Sequence, residues 1–247
     1  MSGRPTRAVI ALELAALGAA VLVAALQNGE ASWNLALLAV LLVAAVSGDL
    51  TARDTPASRV KISSSFLAII TATVLLGATP GAVIGVVTIL AGWSRFRYER
   101  ATLLINVVTF AWFPLLSGIG FDATLHATGI SRMDEPFYLL VFGLFVVALA
   151  INFALIAGYF SYVERDRLST KVRRVLIPVL PTELVSGLLA VGLAYLYIHV
   201  GLASLALFAI ALLVLQYLIG ALLLSQQRSA QVDIFPLSRF PQLGDKG

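Results

Sequence analysis

The 247-residue sequence contains no cysteine and only two histidines, and charged residues make up just 12% of it. Without cysteine, the chain has neither a disulfide framework nor a thiolate metal site. A typical soluble domain carries about 25% charged residues. Here 60% of the residues are hydrophobic and the mean hydropathy is +0.95. The excess of apolar side chains has to face lipid, so the composition predicts a membrane protein.

The sequence also lacks the common catalytic motifs, because it has no HExxH, no GxSxG, no P-loop and no GxGxxG with its required carboxylate. His126 and His199 stand without cysteine or a nearby carboxylate pair, which makes a poor metal site. We therefore expect a protein that is not an enzyme and that uses no cofactor and no metal.

Apolar runs long enough to cross a bilayer, which requires about 20 residues, recur along the chain. They cover residues 8–27, 33–49, 101–119, 136–160, 178–199 and 202–224. These runs predict an all-α, polytopic transmembrane helical bundle of about eight helices: six full spans and a helical hairpin. We expect one transmembrane domain over residues 1–227 and a short, disordered cytoplasmic tail over residues 228–247.

The predicted hairpin is residues 63–93, an apolar stretch interrupted by the sequence GATPG. Residues 63–77 would form a helix of only about 22 Å, at 1.5 Å per residue, against a hydrocarbon thickness of about 30 Å. Pro80 cannot continue a helix from the preceding turn. The stretch therefore predicts two short helices, packed inside the bundle so that the backbone of the bend is shielded from lipid. Charge alone leaves open whether they cross fully or re-enter.

The basic residues fall on alternate connections, with Arg132 as the one exception among 17. The sixteen others are Arg4, Arg7, Arg53, Arg59, Lys61, Arg95, Arg97, Arg100, Arg165, Arg167, Lys171, Arg173, Arg174, Arg228, Arg239 and Lys246. Cationic loops stay on the cytoplasmic side during insertion. We therefore expect both termini in the cytoplasm and a multi-pass protein of the cell inner membrane. The positive net charge of +4 is a topology signal and does not indicate nucleic-acid binding.

Three carboxylates lie within or beside the predicted spans, where ionisable groups are often functional. Glu13 either reaches the headgroups or pairs with Arg7, or it lines a cavity. Glu183 would lie in the first turn of a helix capped by Thr182, or it would line a cavity as well. Asp49, at the mouth of the second span, is expected to be solvated.

Uncharged polar side chains form a second group of candidates. Asn106, Asn152 and Gln216 each place an amide among apolar neighbours, and in hydrocarbon each amide must find a partner. They either hydrogen-bond across helices as structural contacts or line a ligand site. Ser65 would contribute a hydroxyl to the same interior.

Small residues repeat at intervals of four and predict close helix packing. Gly77, Gly81 and Gly85 form this pattern in the hairpin, where Gly77 and Gly81 also suit a tight bend. The first span repeats it with Ala11, Ala15 and Ala19.

The segment ISSSFLAIITATVLLGATPGAVIGVVTILAG resembles the signature of a group of bacterial membrane sensor modules. Those modules precede cytoplasmic HD-type phosphohydrolase or diguanylate cyclase domains. NVVTFAWFPLLSG, LPTELVSGLLAVGLAYLY and VLQYLIGALLLSQQRS are similar to the same group, so the likeness covers most of residues 60–229. The hairpin is also similar to that of vitamin-binding subunits of energy-coupling-factor transporters. The chain stops about 20 residues after its last span, so we expect no output domain.

The resemblance implies a sensor-like ligand-binding module without its own output domain. Its expected partners are the lipid bilayer, a small apolar ligand, and a separate cytoplasmic effector or a second copy of the chain. The alternative is a transport or substrate-capture subunit for a small molecule. An enzyme that acts on lipid through Glu13 or Glu183 is the third hypothesis.

Overall fold

The computed structural model describes residues 6–51, 53–54, 61–62, 65–211, 214 and 218. Within them the chain is all-α, as predicted, apart from one antiparallel pair of two-residue strands, β1 (Arg53–Asp54) and β2 (Lys61–Ile62). The helices are α1 (Arg7–Gln27), α2 (Leu35–Thr51), α3 (Ser65–Leu76), α4 (Ala78–Phe96), α5 (Arg100–Thr128), α6 (Glu135–Glu164), α7 (Leu168–Lys171), α8 (Ile177–Val200) and α9 (Leu202–Ala211). A 3₁₀ turn, Asn28–Glu30, follows α1, and a π-helical turn, Val172–Leu176, joins α7 to α8.

Four helices in the described part of the chain are long and apolar enough to cross a membrane. They are Arg7–Gln27, Arg100–Thr128, Glu135–Glu164 and the continuous helix Leu168–Val200. These helices suggest a membrane protein. The predicted span 33–49 corresponds to the 17-residue helix α2, and most residues after 211 of the predicted span 202–224 lie outside the described residues.

A single residue, Gly77, reverses the chain between α3 and α4. Its backbone angles, φ 102° and ψ 175°, lie in a region that is open essentially to glycine alone. Pro80 sits in the first turn of α4, where its missing N–H costs no helical hydrogen bond. The bend predicted at GATPG is therefore present, and α4 begins before Pro80. Gly201 makes a similar reversal between α8 and α9, with φ 101° and ψ −171°.

The bend is held by the connection between α1 and α2. The Ser32 backbone N–H donates to the carbonyl of Leu76 at 2.8 Å, and the Thr79 hydroxyl donates to the carbonyl of Ala24 at 3.1 Å. Both bonds satisfy backbone carbonyls that would otherwise be orphaned at helix ends. The bend is therefore covered by protein on this side.

Helix α3 forms the centre of the bundle, and all twelve of its residues are buried. It is about 18 Å long at 1.5 Å per residue, and it packs against α2, α4, α5, α6 and α8. Helix α4 differs, because Val83, Val87 and Leu90 are about two-fifths exposed along one face. The prediction that the hairpin lies inside the bundle is thus confirmed for α3 and wrong for this face of α4.

The two ends of the bundle differ in charge. One end, here called the bend end, holds Gly77, the connection 129–134 and Gly201. The Tyr138 hydroxyl and His199 Nε2 meet there at 2.9 Å. The opposite end, the basic end, holds the connections 97–99 and 165–167. Among the described basic residues, only Arg132 lies at the bend end.

Candidate functional site

A cavity of about 540 Å³ lies in the basic half of the bundle and is lined by residues of α2, α3, α4, α5, α6 and α8 and by Tyr98. Its lining combines carboxylates, amides and hydroxyls with aromatic rings and aliphatic side chains. This mixture of an apolar wall and a few polar groups is typical of small-molecule sites, as is the volume.

Four of the six residues predicted to bind a ligand line this cavity: Ser65, Asn106, Asn152 and Glu183. They come from four different helices, α3, α5, α6 and α8. Ser65 and Glu183 are 118 residues apart in the sequence, and the fold brings all four residues to one cavity.

The packing of α5 against α6 explains why two of the amides meet. The rings of Phe121 and Phe137 contact each other near the bend end, with centroids 5.8 Å apart. Asn106 and Asn152 each lie fifteen residues along their helices from that contact, in the direction of the basic end. Because the helices are antiparallel, the two amides reach the same level.

The packing of α8 against α6 brings Glu183 to this level as well. Gly187 of α8 packs against the rings of Phe142 and Phe145, which a Cβ atom at Gly187 would approach to 3.0 Å. Glu183 lies one turn of α8 before Gly187, and Asn152 lies two turns of α6 after Phe145. The carboxylate and the amide therefore line the same cavity from two neighbouring helices.

Asn152 and Asn106 differ in their hydrogen bonds. The Oδ1 atom of Asn152 is buried and has no hydrogen-bond partner among the described residues. Asn106, by contrast, hydrogen-bonds the side chain of Tyr98. The cavity is thus lined by one amide that interacts with a protein hydroxyl and by one whose oxygen has no donor.

Tyr98, in the connection between α4 and α5, lines the cavity at the basic end. The connection folds back on α4, because the Trp93 indole N–H donates to the Tyr98 carbonyl at 3.0 Å. The Tyr98 hydroxyl also lies 3.4 Å from the carbonyl of Ile89, as a donor. Burial raises the pKa of the Tyr98 hydroxyl, the Asn106 hydrogen bond opposes this rise, and the charge of Asp49 adds to it. Tyr98 therefore remains a neutral phenol at physiological pH.

Asp49 is buried, with 6% of its surface exposed, so the prediction that it is solvated is wrong. Its carboxylate lies directly against Gly92, in the space that any larger residue at position 92 would need. Asp49 lines the cavity together with Tyr98. The absence of a side chain at Gly92 lets this carboxylate enter the bundle.

Glu183 lies in the second turn of α8, so the prediction that Thr182 caps a helix directly before it is wrong. The helix runs continuously from Leu168 through Pro178 and Pro181. The π-helical turn Val172–Leu176 directly precedes the two prolines, whose missing N–H groups remove normal helical bonds. Among the described residues Glu183 has no ion-pair or hydrogen-bond partner.

The two remaining predicted ligand residues do not line the cavity in the described structure. Glu13 is buried in α1, and neither of its carboxylate oxygens has a partner. Glu13 does not line this cavity, and it makes no ion pair with Arg7. Gln216 lies outside the described residues.

The glycines of the hairpin have separate roles. Gly77 is the bend itself, while Gly81 lies against Thr73 of α3 and Gly85 lies against the Phe110 carbonyl of α5. The prediction that the alanine face of α1 packs closely against another helix is wrong within the described structure. This face is exposed, and α1 packs through another side. The alanines concerned are Ala11, Ala15 and Ala19.

Sequence reasoning missed Asp49 and Tyr98 as cavity residues, and it missed Gly92 and Gly118 as packing positions. Gly92 lies seven residues after Gly85, on the same helix face, and that spacing was the available signal. Tyr98 offered no comparable signal, since its burial depends on how a short basic connection folds back.

Metal chemistry finds no support in the residues that the structure describes, where no three His, Cys, Asp or Glu side chains are grouped to hold an ion. His199 instead bonds Tyr138 and packs against Tyr195, with ring centroids 4.3 Å apart.

No family model, curated protein or solved structure matches the chain. The resemblance to bacterial sensor modules therefore stays a prediction, and the site has to be interpreted from its own chemistry.

Proposed function

We propose that this protein is a non-enzymatic, sensor-like ligand-binding module, multi-pass in the cell inner membrane with both termini in the cytoplasm. The observation that carries the proposal is the cavity, in which polar side chains from four helices converge within an apolar wall. A purely structural network would satisfy its own polar groups. Here Glu183 and the Asn152 Oδ1 atom have no partner among the described residues.

The continuous helix Leu168–Val200 is the element that we propose carries the signal. It contributes Glu183 to the cavity, and toward the basic end it passes through the π-helical turn to Lys171, which pairs with Glu164. Such π turns often occur at functional sites. Ligand contact with Glu183 would shift α8 against α6 if the ligand binds the two packings with different affinity. A separate cytoplasmic effector, or a second copy of the chain, would read the change.

The proposed orientation rests on the basic end facing the cytoplasm, and the cysteine-free sequence makes it easy to test. We expect single variants Ser94→Cys and Ser169→Cys to react with an impermeant thiol reagent only from the cytoplasmic side. Ser131→Cys, at the bend end, should react only from the other side. Labelling of Ser94→Cys and Ser169→Cys from opposite compartments would refute this layout.

Ligand binding is tested with the purified protein in liposomes, by screening vitamins and lipids for thermal stabilisation and for uptake. A sensor module predicts stabilisation without uptake. Uptake, or co-purification with an ATPase, would favour the alternative of a transport or substrate-capture subunit. Absence of stabilisation by every compound would count against the ligand site.

A further inference from the structure

The ionisable acidic and basic side chains that line the cavity, among the described residues, are both carboxylates. Glu183 presents a carboxylate with no ion-pair or hydrogen-bond partner among the described residues, and Asn152, whose buried Oδ1 atom lacks a donor, lines the same cavity. The amide of Asn106 is already used by Tyr98. A second carboxylate, Asp49, adds negative charge to the same wall. Among the described residues, no lysine or arginine lines the cavity.

A carboxylate without a partner, such as that of Glu183, favours a ligand that brings hydrogen-bond donors and positive charge. A carboxylate in a low-dielectric site is costly without a counter-charge, and a hydrogen bond to a charged group is stronger than a neutral one. The remaining wall contains the rings of Phe66, Phe96 and Phe110. Aromatic faces attract cations and also accommodate an apolar body.

Resting on the proposed ligand-binding function, we infer that the ligand is an organic cation, a protonated amine with an apolar body. Its ammonium group lies against Glu183, beside Asn152, and donates to the Glu183 carboxylate. Its apolar part occupies the aromatic and aliphatic side of the cavity. An anionic ligand is excluded by the same charges, so the site discriminates by charge before it discriminates by shape.

Three probes with one carbon skeleton test this inference: 4-phenylbutylammonium, 4-phenylbutan-1-ol and 4-phenylbutyrate. The full chain is placed in nanodiscs of neutral phosphatidylcholine, and the thermal midpoint is followed against probe concentration, which gives an apparent affinity. We expect a saturable rise with the ammonium probe alone. Glu183→Gln should weaken its apparent affinity by about tenfold or more, since a charged hydrogen bond is lost. Asn152→Leu should weaken it by a smaller factor and keep the preference for the cation.

The matched control is Glu135→Gln, which removes an exposed carboxylate at the bend end and should bind the ammonium probe like the wild-type protein. The inference is overturned if the alcohol or the acid stabilises as well as the ammonium probe, or if Glu183→Gln responds unchanged. Should Glu183→Gln not fold, the ranking of the three probes on the wild-type protein and on Asn152→Leu decides.

The same measurements separate this inference from the proposed function. If a neutral or anionic compound of the vitamin and lipid screen stabilises the protein and the ammonium probe does not, only the cation inference fails. If no compound of either set stabilises it, both fail.

Discussion

The hairpin of α3 and α4 is packed in opposite ways at its two ends. Toward the bend end, backbones approach so closely that a Cβ atom at Gly118 would lie 2.7 Å from the Cβ of Ala78. Toward the basic end, Ser65 and Phe66 of α3 and Ile89 and Phe96 of α4 line a cavity of about 540 Å³. Small residues close one end of the hairpin, and polar and aromatic residues hold the other open. We propose that stability and ligand binding depend on opposite ends of this hairpin.

The largest effect is expected at the closed end, from Gly118→Ala. The added methyl group would overlap Ala78 and Thr73, and overpacking of this kind costs about 1–3 kcal/mol. The control is Gly120→Ala on the same helix, where a Cβ atom meets nothing within 4 Å. That variant should be neutral or more stable by about 0.5–1 kcal/mol, because alanine favours helix over glycine. Thermal unfolding in detergent measures both. Equal destabilisation by the two variants would contradict the close contact.

A substitution at the open end is expected to act in the other direction. Asn152→Leu removes a buried acceptor that lacks a partner, and such a group costs about 1–3 kcal/mol. We therefore expect Asn152→Leu to raise the unfolding midpoint of the ligand-free protein while it weakens ligand binding. Asn106→Leu is the comparison, because it breaks the hydrogen bond with Tyr98 and should lower the midpoint. A lower midpoint for both variants would mean that Asn152 is satisfied in solution.

A smaller loss is expected where the bend is tied to α1. Thr79→Val removes the hydrogen bond from the Thr79 hydroxyl to the Ala24 carbonyl and should cost about 1 kcal/mol. Thr124→Val is the matched control. Its exposed hydroxyl bonds Gly120 within the same helix, and its loss should be close to neutral. A neutral Thr79→Val would mean that the bend does not depend on α1.

The smallest expected effect is on the pH dependence of stability, through the hydroxyl of Tyr98. Because burial raises the pKa of this hydroxyl, the unfolded chain loses the proton at lower pH than the folded protein does. The contribution of the Tyr98 hydroxyl to the free energy of unfolding therefore falls as pH rises above about 10, the pKa of an unperturbed tyrosine. Tyr98→Phe should show a weaker alkaline loss of stability than the wild-type protein. Tyr162→Phe, which alters a ring that is 69% exposed, is the control for the same measurement. Identical alkaline profiles for wild type and Tyr98→Phe would refute the role of burial.

The sequence was sufficient to predict features that depend on length and on local chemistry. The short apolar run before GATPG predicted a helix packed inside the bundle, because about 22 Å does not cross the hydrocarbon. Amides among apolar residues had to face inward, and Asn106 and Asn152 do line a common cavity. Both predictions follow from the cost of leaving a polar group or a bent backbone in lipid.

Features that depend on a partner helix could not be predicted. The burial of Asp49 requires the missing side chain of Gly92, which lies 43 residues away on α4. The prolines at 178 and 181 suggested a helix start at Thr182. The helix instead continues through them by means of a preceding π-helical turn. In each case the deciding contact is absent from the local sequence.

The complete enclosure of α3 has a consequence for biogenesis. A twelve-residue segment is too short to be recognised as a span by the insertion machinery, which responds to about 20 apolar residues. We therefore expect α3 to enter the bilayer together with α4 and to reach its final depth only after α5 and α6 have been synthesised. Ribosome-bound chains truncated before residue 100 should leave this segment accessible to the aqueous phase.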